Sequence, residues 1–235
     1  LCQPMSPYQH IFFDLDRTVW DFNASAEDAI KRMFLEYDLQ RKGIPGMDVF
    51  KERYHYHNDQ LWELYRKGDI LKEILNVKRF HLTLLDFGLD EPETAKGMAR
   101  IYTSMNPDRA FLMPGTHEIL EYLVRGYQLH LITNGFQEVQ DQKFRIGNFD
   151  KYIRTMTTSE EAGAKKPDPG IFSYALDKAG CKPEESIIIG DDLEVDIIGA
   201  RNFGIDQVYY NPAGNPHNEK LTLEIRHLLD LKKIF

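Results

Sequence analysis

The feature that most constrains this chain is a short apolar segment that ends in two aspartates. Ile11, Phe12 and Phe13 lead into Asp14 and Asp16. An apolar run of this kind predicts a buried β-strand, and in extended backbone the i, i+2 spacing puts both carboxylates on one side. Two neighbouring carboxylates are costly unless a cation or a shared proton relieves their repulsion. The segment therefore indicates a Mg²⁺ site in which one Asp is available as a nucleophile.

Three later segments carry polar residues where predicted elements begin or end. Because ligands in open α/β sheets bind beyond the carboxyl ends of the strands, we expect these residues to converge with Asp14 on one crevice. Together they supply carboxylates, a hydroxyl and an ammonium, a set suited to phosphoryl transfer on a metal. The residues are Thr133 and Asn134 after one apolar run, Lys165 and Lys166 before a helix start marked by prolines, and Asp191, Asp192 and Asp196 after another apolar run.

The spacing of apolar residues divides the chain into two kinds of sequence. Residues 24–106 have helical periodicity broken by glycines, which predicts a small antiparallel bundle of four helices. From residue 115 onward helices alternate with strands, which predicts a mostly parallel, doubly wound sheet. The expected strands are 11–15, 128–133, 152–157, 186–190 and 206–210. The expected helices are 25–38, 47–66, 70–87, 92–106, 115–125, 136–146, 168–179 and 194–203, with a further helix ending the chain.

Composition limits the expected partners and compartment. The formal net charge of -8 makes sequence-independent binding to a nucleic-acid polymer unfavourable. The chain contains no apolar run approaching the roughly 20 residues of a membrane span. Two cysteines, Cys2 and Cys181, are too few for a disulfide scaffold and suit a reducing compartment. We therefore expect a cytoplasmic monomer or homodimer that acts on a small molecule and binds no membrane.

The four polar segments resemble, in order and spacing, the four motifs of the haloacid dehalogenase-like (HAD) superfamily, over nearly the whole chain. A closer resemblance is to its pyrimidine 5′-nucleotidase subgroup. The resemblance implies a Rossmann-like α/β core, residues 1–19 and 110–235, and an inserted helical cap domain, residues 20–109. The stretches that carry the subgroup resemblance are Leu61-Trp62 with Tyr65 and Gly68, Arg79-Phe80, residues 132–136 and residues 171–176.

The resemblance also implies chemical roles for the two opening aspartates. Asp14 is expected to attack phosphorus and form an aspartyl-phosphate. Asp16 is expected to protonate the leaving oxygen, then to deprotonate the attacking water, and to reach Mg²⁺ through its backbone carbonyl. The halide-removing relatives lack a carboxylate at the position of Asp16 and need no magnesium. Asp16 therefore favours a phosphatase over a dehalogenase.

The remaining motif residues are expected to bind the metal and the phosphoryl group. Asp191 is the third expected Mg²⁺ contact, and Asp196 is expected to orient it through hydrogen bonds. Asp192 either contacts the metal or is an acid favoured at a helix N-terminus. The Thr133 hydroxyl and the Asn134 backbone N–H are expected to donate to phosphoryl oxygens.

Charge neutralisation is expected from Lys166 rather than Lys165, because a proline follows it as in the family pattern. Arg17 departs from that pattern, in which a small or acidic residue often follows the second Asp. It is a candidate substrate contact or, equally, one half of a structural ion pair. Asn58 and Trp62 are candidate cap residues on the substrate side, with a place in the bundle core as the alternative.

The expected substrate is a nucleoside 5′-monophosphate, in particular a pyrimidine nucleotide. A broad-specificity phosphatase acting on small metabolites or sugar phosphates is the nearest alternative. A 2-haloacid dehalogenase and a non-catalytic ligand-binding protein of the same fold are the rivals from other classes.

Overall fold

A six-stranded parallel sheet forms the centre of the computed structural model, which describes residues 8–104 and 109–235. The strands lie in the order β3-β2-β1-β4-β5-β6. This sheet, with helices between successive strands from β1 to β5, confirms the Rossmann-like α/β prediction. The strands are β1 (His10–Phe13), β2 (Gln128–Thr133), β3 (Ile153–Thr158), β4 (Ser186–Gly190), β5 (Asp206–Tyr210) and β6 (Leu223–Ile225).

The chain reverses its direction of travel across the sheet next to β1. It runs from β1 outward through β2 to β3, then returns to the other side of β1 and runs through β4 to β6. Ile11, Phe12 and Phe13 point alternately to the two faces and all are at most 2% exposed, so both faces of the sheet are covered. Ligands in such sheets bind at the carboxyl ends of the strands where the order reverses, here between β1 and β4.

The first four helices of the described residues follow β1 in sequence and precede β2. They surround an apolar cluster that includes Met33, Phe50, Tyr54, Phe80 and Met98. Glycines with left-handed backbone end two of the helical stretches, at Gly68 with φ 82° and Gly88 with φ 75°. The helices are α1 (Phe22–Glu36), α2 (Met47–Lys67), α3 (Lys72–Leu85) and α4 (Pro92–Thr103).

By its internal contacts the chain divides into two compact units, residues 8–22 with 109–235 and residues 23–104. The first unit contains the sheet and the second contains the helical bundle. Cys2, the rest of residues 1–7 and the predicted end of the fourth helix at residue 106 lie outside the described residues. The role of the bundle as a cap stays a prediction.

Five α-helices follow in the sheet-containing unit. One face of the sheet packs against Ile171, Phe172 and Leu176 from the helix before β4 and against Ala200 from the helix after it. The helices are α5 (Thr116–Leu123), α6 (Gln137–Ile146), α7 (Ser159–Ala162), α8 (Pro169–Ala179) and α9 (Gly199–Phe203).

Two of the expected helices form, but with a different type or length from the prediction. The terminal helix is a short 3₁₀-helix, Leu228–Lys233, and the edge strand β6, which was not predicted, precedes it. Leu228 and Leu231, three residues apart, are both buried, which matches the three residues per turn of a 3₁₀-helix. The expected helix 194–203 begins instead with a π-helical turn, Leu193–Ile198, and only then continues as α9.

No helix among residues 8–104 and 109–235 combines the length and apolar character needed to cross a membrane.

Two buried histidines pair across β1 and β2. His130 is 1% exposed, with its Nε2 atom 3.1 Å from Nδ1 of His10 and its Nδ1 atom 2.8 Å from Oγ1 of Thr155. Burial lowers the pKa of His130 to about 3, and the charges of His10 and Arg154 act in the same direction. Burial likewise lowers the pKa of His10. The fold therefore holds His130 neutral under conditions in which an exposed imidazole becomes charged.

This pair makes the protein sensitive to acid. The unfolded chain protonates His130 near its ordinary pKa of 6.5, whereas the folded chain resists protonation down to about pH 3. The unfolding free energy is therefore not reduced by the titration of His130 above pH 6.5. It falls progressively as the pH drops from 6.5 towards 3, because only the unfolded chain takes up the proton in that range. Between pH 6.5 and 4.5 the unfolding free energy of the wild type should fall about 2–3 kcal/mol more than that of His130→Gln. Urea denaturation at a series of pH values measures this difference, with exposed His55→Gln as the control. Equal pH slopes for the wild type and His130→Gln would contradict it.

Candidate active site

The acidic residues of the first and last motifs meet at the reversal point between β1 and β4. Phe13 pairs in register with Ile189, so Asp14 leaves β1 beside the end of β4. The backbone N–H of Asp14 donates to the Ile189 carbonyl at 2.8 Å. The sheet register therefore brings Asp14 and Asp191 to one edge.

Lys166 lies at the centre of this acidic group and is 2% exposed. Its Nζ atom donates to Oδ1 of Asp14 and to Oδ1 of Asp196, both at 2.6 Å, and to the Ile132 carbonyl at 3.0 Å. Three acceptors satisfy the three protons of the ammonium. One buried cation thus joins residues that follow β1 and β4 to the backbone of β2.

The cluster remains short of positive charge. Burial raises the pKa of Asp14 well above its ordinary range, and Asp196 and Asp191 add to this rise while Lys166 opposes it. Burial and the neighbouring Asp196 raise the pKa of Asp191 to about 7. Burial alone would lower the pKa of Lys166, but the carboxylates of Asp14 and Asp196 outweigh burial and raise it. Three carboxylates therefore lie near one ammonium, which binds two of them, and the excess negative charge favours a further cation.

The donor set fits Mg²⁺. One carboxylate oxygen from each of Asp14, Asp191 and Asp196 lies within 4.8 Å of the others, and carboxylate oxygens are the ligands this ion prefers. Asp196 already accepts hydrogen bonds on both oxygens, from Lys166 and from the Asp192 backbone N–H at 3.1 Å. Asp14 and Asp191 are therefore the carboxylates of this cluster that could hold a cation, whereas hydrogen bonds already engage both oxygens of Asp196. Metal binding by Asp14, Asp16 and Asp191, with Asp196 in an orienting role, stays a prediction.

Two neighbouring side chains support this arrangement. The Thr18 hydroxyl, which sequence reasoning missed, donates to Oδ1 of Asp191 at 3.3 Å. The Asp192 carboxylate accepts from the backbone N–H groups of Glu194 and Val195 at 3.1 and 2.9 Å. Asp192 was expected either to contact the metal or to lie as an acid at a helix N-terminus, and these hydrogen bonds favour the second alternative.

The Asn134 side chain fixes the backbone of Lys166. Its Nδ2 atom donates to the Lys166 carbonyl at 2.9 Å, and its Oδ1 atom accepts from the Lys166 N–H at 2.8 Å. The expected role of Asn134 was a backbone N–H directed at a phosphoryl oxygen. The structure adds a separate role for its side chain, which holds Lys166 in place.

Asp16 is bound by two residues of α6 that sequence reasoning missed. Lys143 forms an ion pair with Oδ1 of Asp16, and Gln140 donates to Oδ2 at 2.8 Å. The same Gln140 amide donates to the Thr133 hydroxyl at 2.8 Å. The available signal was their i, i+3 spacing, which places both side chains on one face of the helix directly after the Thr133 motif.

The other predicted site residues differ in their surroundings. Arg17 has left-handed backbone, with φ 67°, and its guanidinium lies 4.8 Å from the centre of the Phe22 ring. Asn58 lies in the helical unit, where its Oδ1 atom accepts from buried Arg79 at 3.2 Å. Trp62, also in that unit, packs edge-on against Tyr65. Substrate contacts by Arg17, Asn58 and Trp62 stay predictions.

Gly190 offers a direct test of the packing around Asp196. A Cβ atom at this position would lie 2.4 Å from Oδ2 of Asp196 and 2.5 Å from its Cβ. Gly190→Ala should therefore displace Asp196 from Lys166, lower the unfolding free energy by roughly 1–3 kcal/mol and reduce activity. Gly126→Ala is the matched control, because Gly126 has no atom within 4 Å of the added Cβ and no left-handed backbone. Urea denaturation showing equal stability for the two variants would contradict this packing.

The chain is similar to several proteins along most of its length. It is 29% identical over 207 residues to the pyrimidine 5′-nucleotidase PynA of Streptococcus pneumoniae, covering 87% of this chain and 84% of PynA. It is 30% identical over 232 residues to a glyceraldehyde 3-phosphate phosphatase of Methanothermobacter thermautotrophicus, covering 95% of this chain and 96% of that protein.

Solved structures show the same fold. The HAD-hydrolase YfnB from Bacillus subtilis, solved bound to magnesium, is 26% identical with a TM-score of 0.82, covering 97% of this chain and 98% of YfnB. A 2-haloacid dehalogenase from Pseudomonas syringae is 24% identical with a TM-score of 0.68, covering 97% of each chain. This second likeness shows the fold alone.

The haloacid dehalogenase-like hydrolase family matches residues 11–209, a range that includes every motif residue of the site described above. The chain belongs to the haloacid dehalogenase-like hydrolase family.

Proposed function

We propose that this protein is a Mg²⁺-dependent phosphatase that hydrolyses small phosphomonoesters through an aspartyl-phosphate on Asp14. The observation that carries the proposal is the buried Lys166 bridge between Asp14 and Asp196, with the Asp191 carboxylate beside it. A phosphatase of the HAD type also agrees with the family and with similarity to both nucleotidases and sugar-phosphate phosphatases.

The first half of the reaction uses Asp14 and Asp16. A carboxylate oxygen of Asp14 attacks phosphorus, the bond to the leaving oxygen breaks, and Asp16 gives that oxygen a proton. Lys166 stabilises the Asp14 carboxylate in its charged form, which is the nucleophilic form. Bound Mg²⁺ would offset the negative charge of the phosphoryl group beside the carboxylates.

The second half returns the site to its starting state. Asp16, now a carboxylate, takes a proton from water as the water oxygen attacks phosphorus, and the bond from phosphorus to Asp14 breaks. The Thr133 hydroxyl and the Asn134 backbone N–H are the proposed donors to the phosphoryl oxygens throughout. Inorganic phosphate leaves and Asp14 is again a free carboxylate.

The proposed substrates are nucleoside 5′-monophosphates, in particular pyrimidine ones. Support comes from PynA, whose name states this activity and which this chain matches over 87% of its length. A sugar-phosphate substrate is the second candidate, because the chain is 30% identical to the glyceraldehyde 3-phosphate phosphatase and this similarity covers 95% of the chain. Dehalogenation is disfavoured by Asp16, a carboxylate that the halide-removing enzymes do not need.

Phosphate release with and without Mg²⁺ tests the proposal. Purified protein should release phosphate from UMP or CMP faster than from AMP or glyceraldehyde 3-phosphate. Chelation should abolish the release and added Mg²⁺ should restore it, because the acidic cluster needs the cation. Asp14→Asn should remove the acid-trapped phosphoenzyme seen with labelled substrate, since it removes the nucleophile.

The alternatives give different results in the same assay. Preference for glyceraldehyde 3-phosphate would select the second candidate. Chloride release from 2-chloropropionate without phosphate release would select a dehalogenase, and no turnover of any substrate would select a binding protein. Full activity in metal-free protein would contradict the Mg²⁺ assignment.

A further inference from the structure

One face of α6 carries two buried polar side chains that none of the four motifs includes. Gln140 is 0% exposed and the side chain of Lys143 is 3% exposed. Both cost free energy to bury unless their hydrogen-bonding groups are satisfied. Their principal polar partners are residues that the proposed mechanism uses, Asp16 and Thr133.

Gln140 and Lys143 bind different oxygens of the Asp16 carboxylate. Lys143 binds Oδ1, and Gln140 donates to Oδ2 at 2.8 Å. The Lys143 ammonium also lies 5.7 Å from the centre of the Phe22 ring, so an aromatic face borders it. With both oxygens held, rotation of the carboxylate is restricted although the Asp16 side chain is 22% exposed.

Gln140 also determines which way the Thr133 hydroxyl can act. Oγ1 of Thr133 accepts from Nε2 of Gln140 at 2.8 Å and from the Gly135 N–H at 3.1 Å. A hydroxyl oxygen has two lone pairs and one proton. With both lone pairs engaged, the remaining interaction of Thr133 is to donate its proton, which is the interaction that a phosphoryl oxygen requires.

Gly135 makes room for this amide. A Cβ atom at residue 135 would lie 1.7 Å from Nε2 of Gln140. Any larger residue at position 135 would therefore force the Gln140 side chain out of its present position. The close approach indicates that the Gln140 position is built into the loop that carries Thr133 and Asn134.

We propose that Gln140 and Lys143 are positioning residues of the active site: Lys143 holds Asp16 for proton transfer to the leaving group, and Gln140 holds Asp16 and orients the Thr133 hydroxyl as a donor. The inference rests on the proposed function, because it takes Asp16 as the residue that protonates the leaving oxygen. Lys143 acts through Asp16 alone, whereas Gln140 acts through Asp16 and Thr133. Substitutions of Lys143 and of Gln140 should therefore have different effects on catalysis.

The test compares two substrates that differ in their need for a proton. An alkyl phosphate such as glycerol phosphate needs protonation of its leaving oxygen, whereas p-nitrophenyl phosphate needs little. Asp16→Asn should lower kcat for the alkyl phosphate by roughly 10²–10⁴-fold and for p-nitrophenyl phosphate much less. Lys143→Met should show the same asymmetry with a loss of about 10–100-fold on the alkyl phosphate. Lys143→Arg should restore most of the activity, because it returns a cation to Asp16.

A matched control and a double mutant separate positioning from general damage. Arg145→Met removes a positive charge from the exposed face of the same helix. It should leave kcat unchanged for both the alkyl phosphate and p-nitrophenyl phosphate. Adding Lys143→Met to Asp16→Asn should cause little further loss if Lys143 works through Asp16. A full multiplicative loss in the double mutant would overturn the inference. If Lys143→Met does not fold, Lys143→Gln, which keeps a donor but removes the cation, replaces it, and the asymmetry should remain with a smaller loss on the alkyl phosphate.

Gln140 gives an independent readout. Gln140→Leu should weaken competitive inhibition by inorganic phosphate, because the Thr133 hydroxyl loses its fixed orientation, whereas Lys143→Met should leave that inhibition nearly unchanged. Equal phosphate inhibition in both variants would overturn the role of Gln140.

The outcomes also distinguish this inference from the proposed function. If Asp16→Asn itself reduces both substrates equally, the proposed role of Asp16 fails. If Asp16→Asn shows the asymmetry and Lys143→Met does not, the mechanism stands and the positioning role fails.

Discussion

One buried ammonium group holds the acidic centre of this protein together. Lys166 is the shared partner of Asp14 and Asp196, and its third proton is donated to a carbonyl of β2. Removing one partner of a buried ion pair typically costs about 3–5 kcal/mol, because an uncompensated charge remains. Here the loss of Lys166 would leave the carboxylates of Asp14 and Asp196, which follow the neighbouring strands β1 and β4, facing each other. The Asn134 side chain, which pairs with the Lys166 backbone, and Gly190, which leaves room for Asp196, both serve to keep that ammonium in place.

The strand order explains why these groups meet. β1 lies between β2 and β4, so the loops after all three strands open at the reversal point of the sheet. β1 contributes Asp14 and Asp16, β2 contributes Thr133 and Asn134, and β4 leads into Asp191. Helix α6 then anchors the outer part of the site, since it binds both Asp16 and Thr133. One set of contacts fixes the charged centre and a second set fixes the groups proposed to move a proton and hold the phosphoryl group.

Sequence reasoning succeeded where a local pattern determines the structure. Apolar runs ending in polar residues predicted five of the strands and placed Asp14, Thr133 and Asp191 at their ends, because strands of a parallel sheet are buried on both faces. It missed β6, whose three residues are too short to show a period. It also missed Gln140 and Lys143, which read as ordinary polar residues of a helix until the fold brings them against residues more than 100 positions earlier. The same limit applies to Asn134, whose side-chain role depends on a partner 32 residues away.

A crystal structure of the protein with Mg²⁺ and beryllium fluoride tests the central claim most directly, because beryllium fluoride imitates a phosphoryl group attached to a carboxylate. The account predicts beryllium fluoride on a carboxylate oxygen of Asp14, Mg²⁺ at about 2.0–2.1 Å from oxygens of Asp14 and Asp191, and Lys166 still bound to Asp196. Beryllium fluoride on another residue, or Mg²⁺ bound away from Asp14 and Asp191, would contradict it.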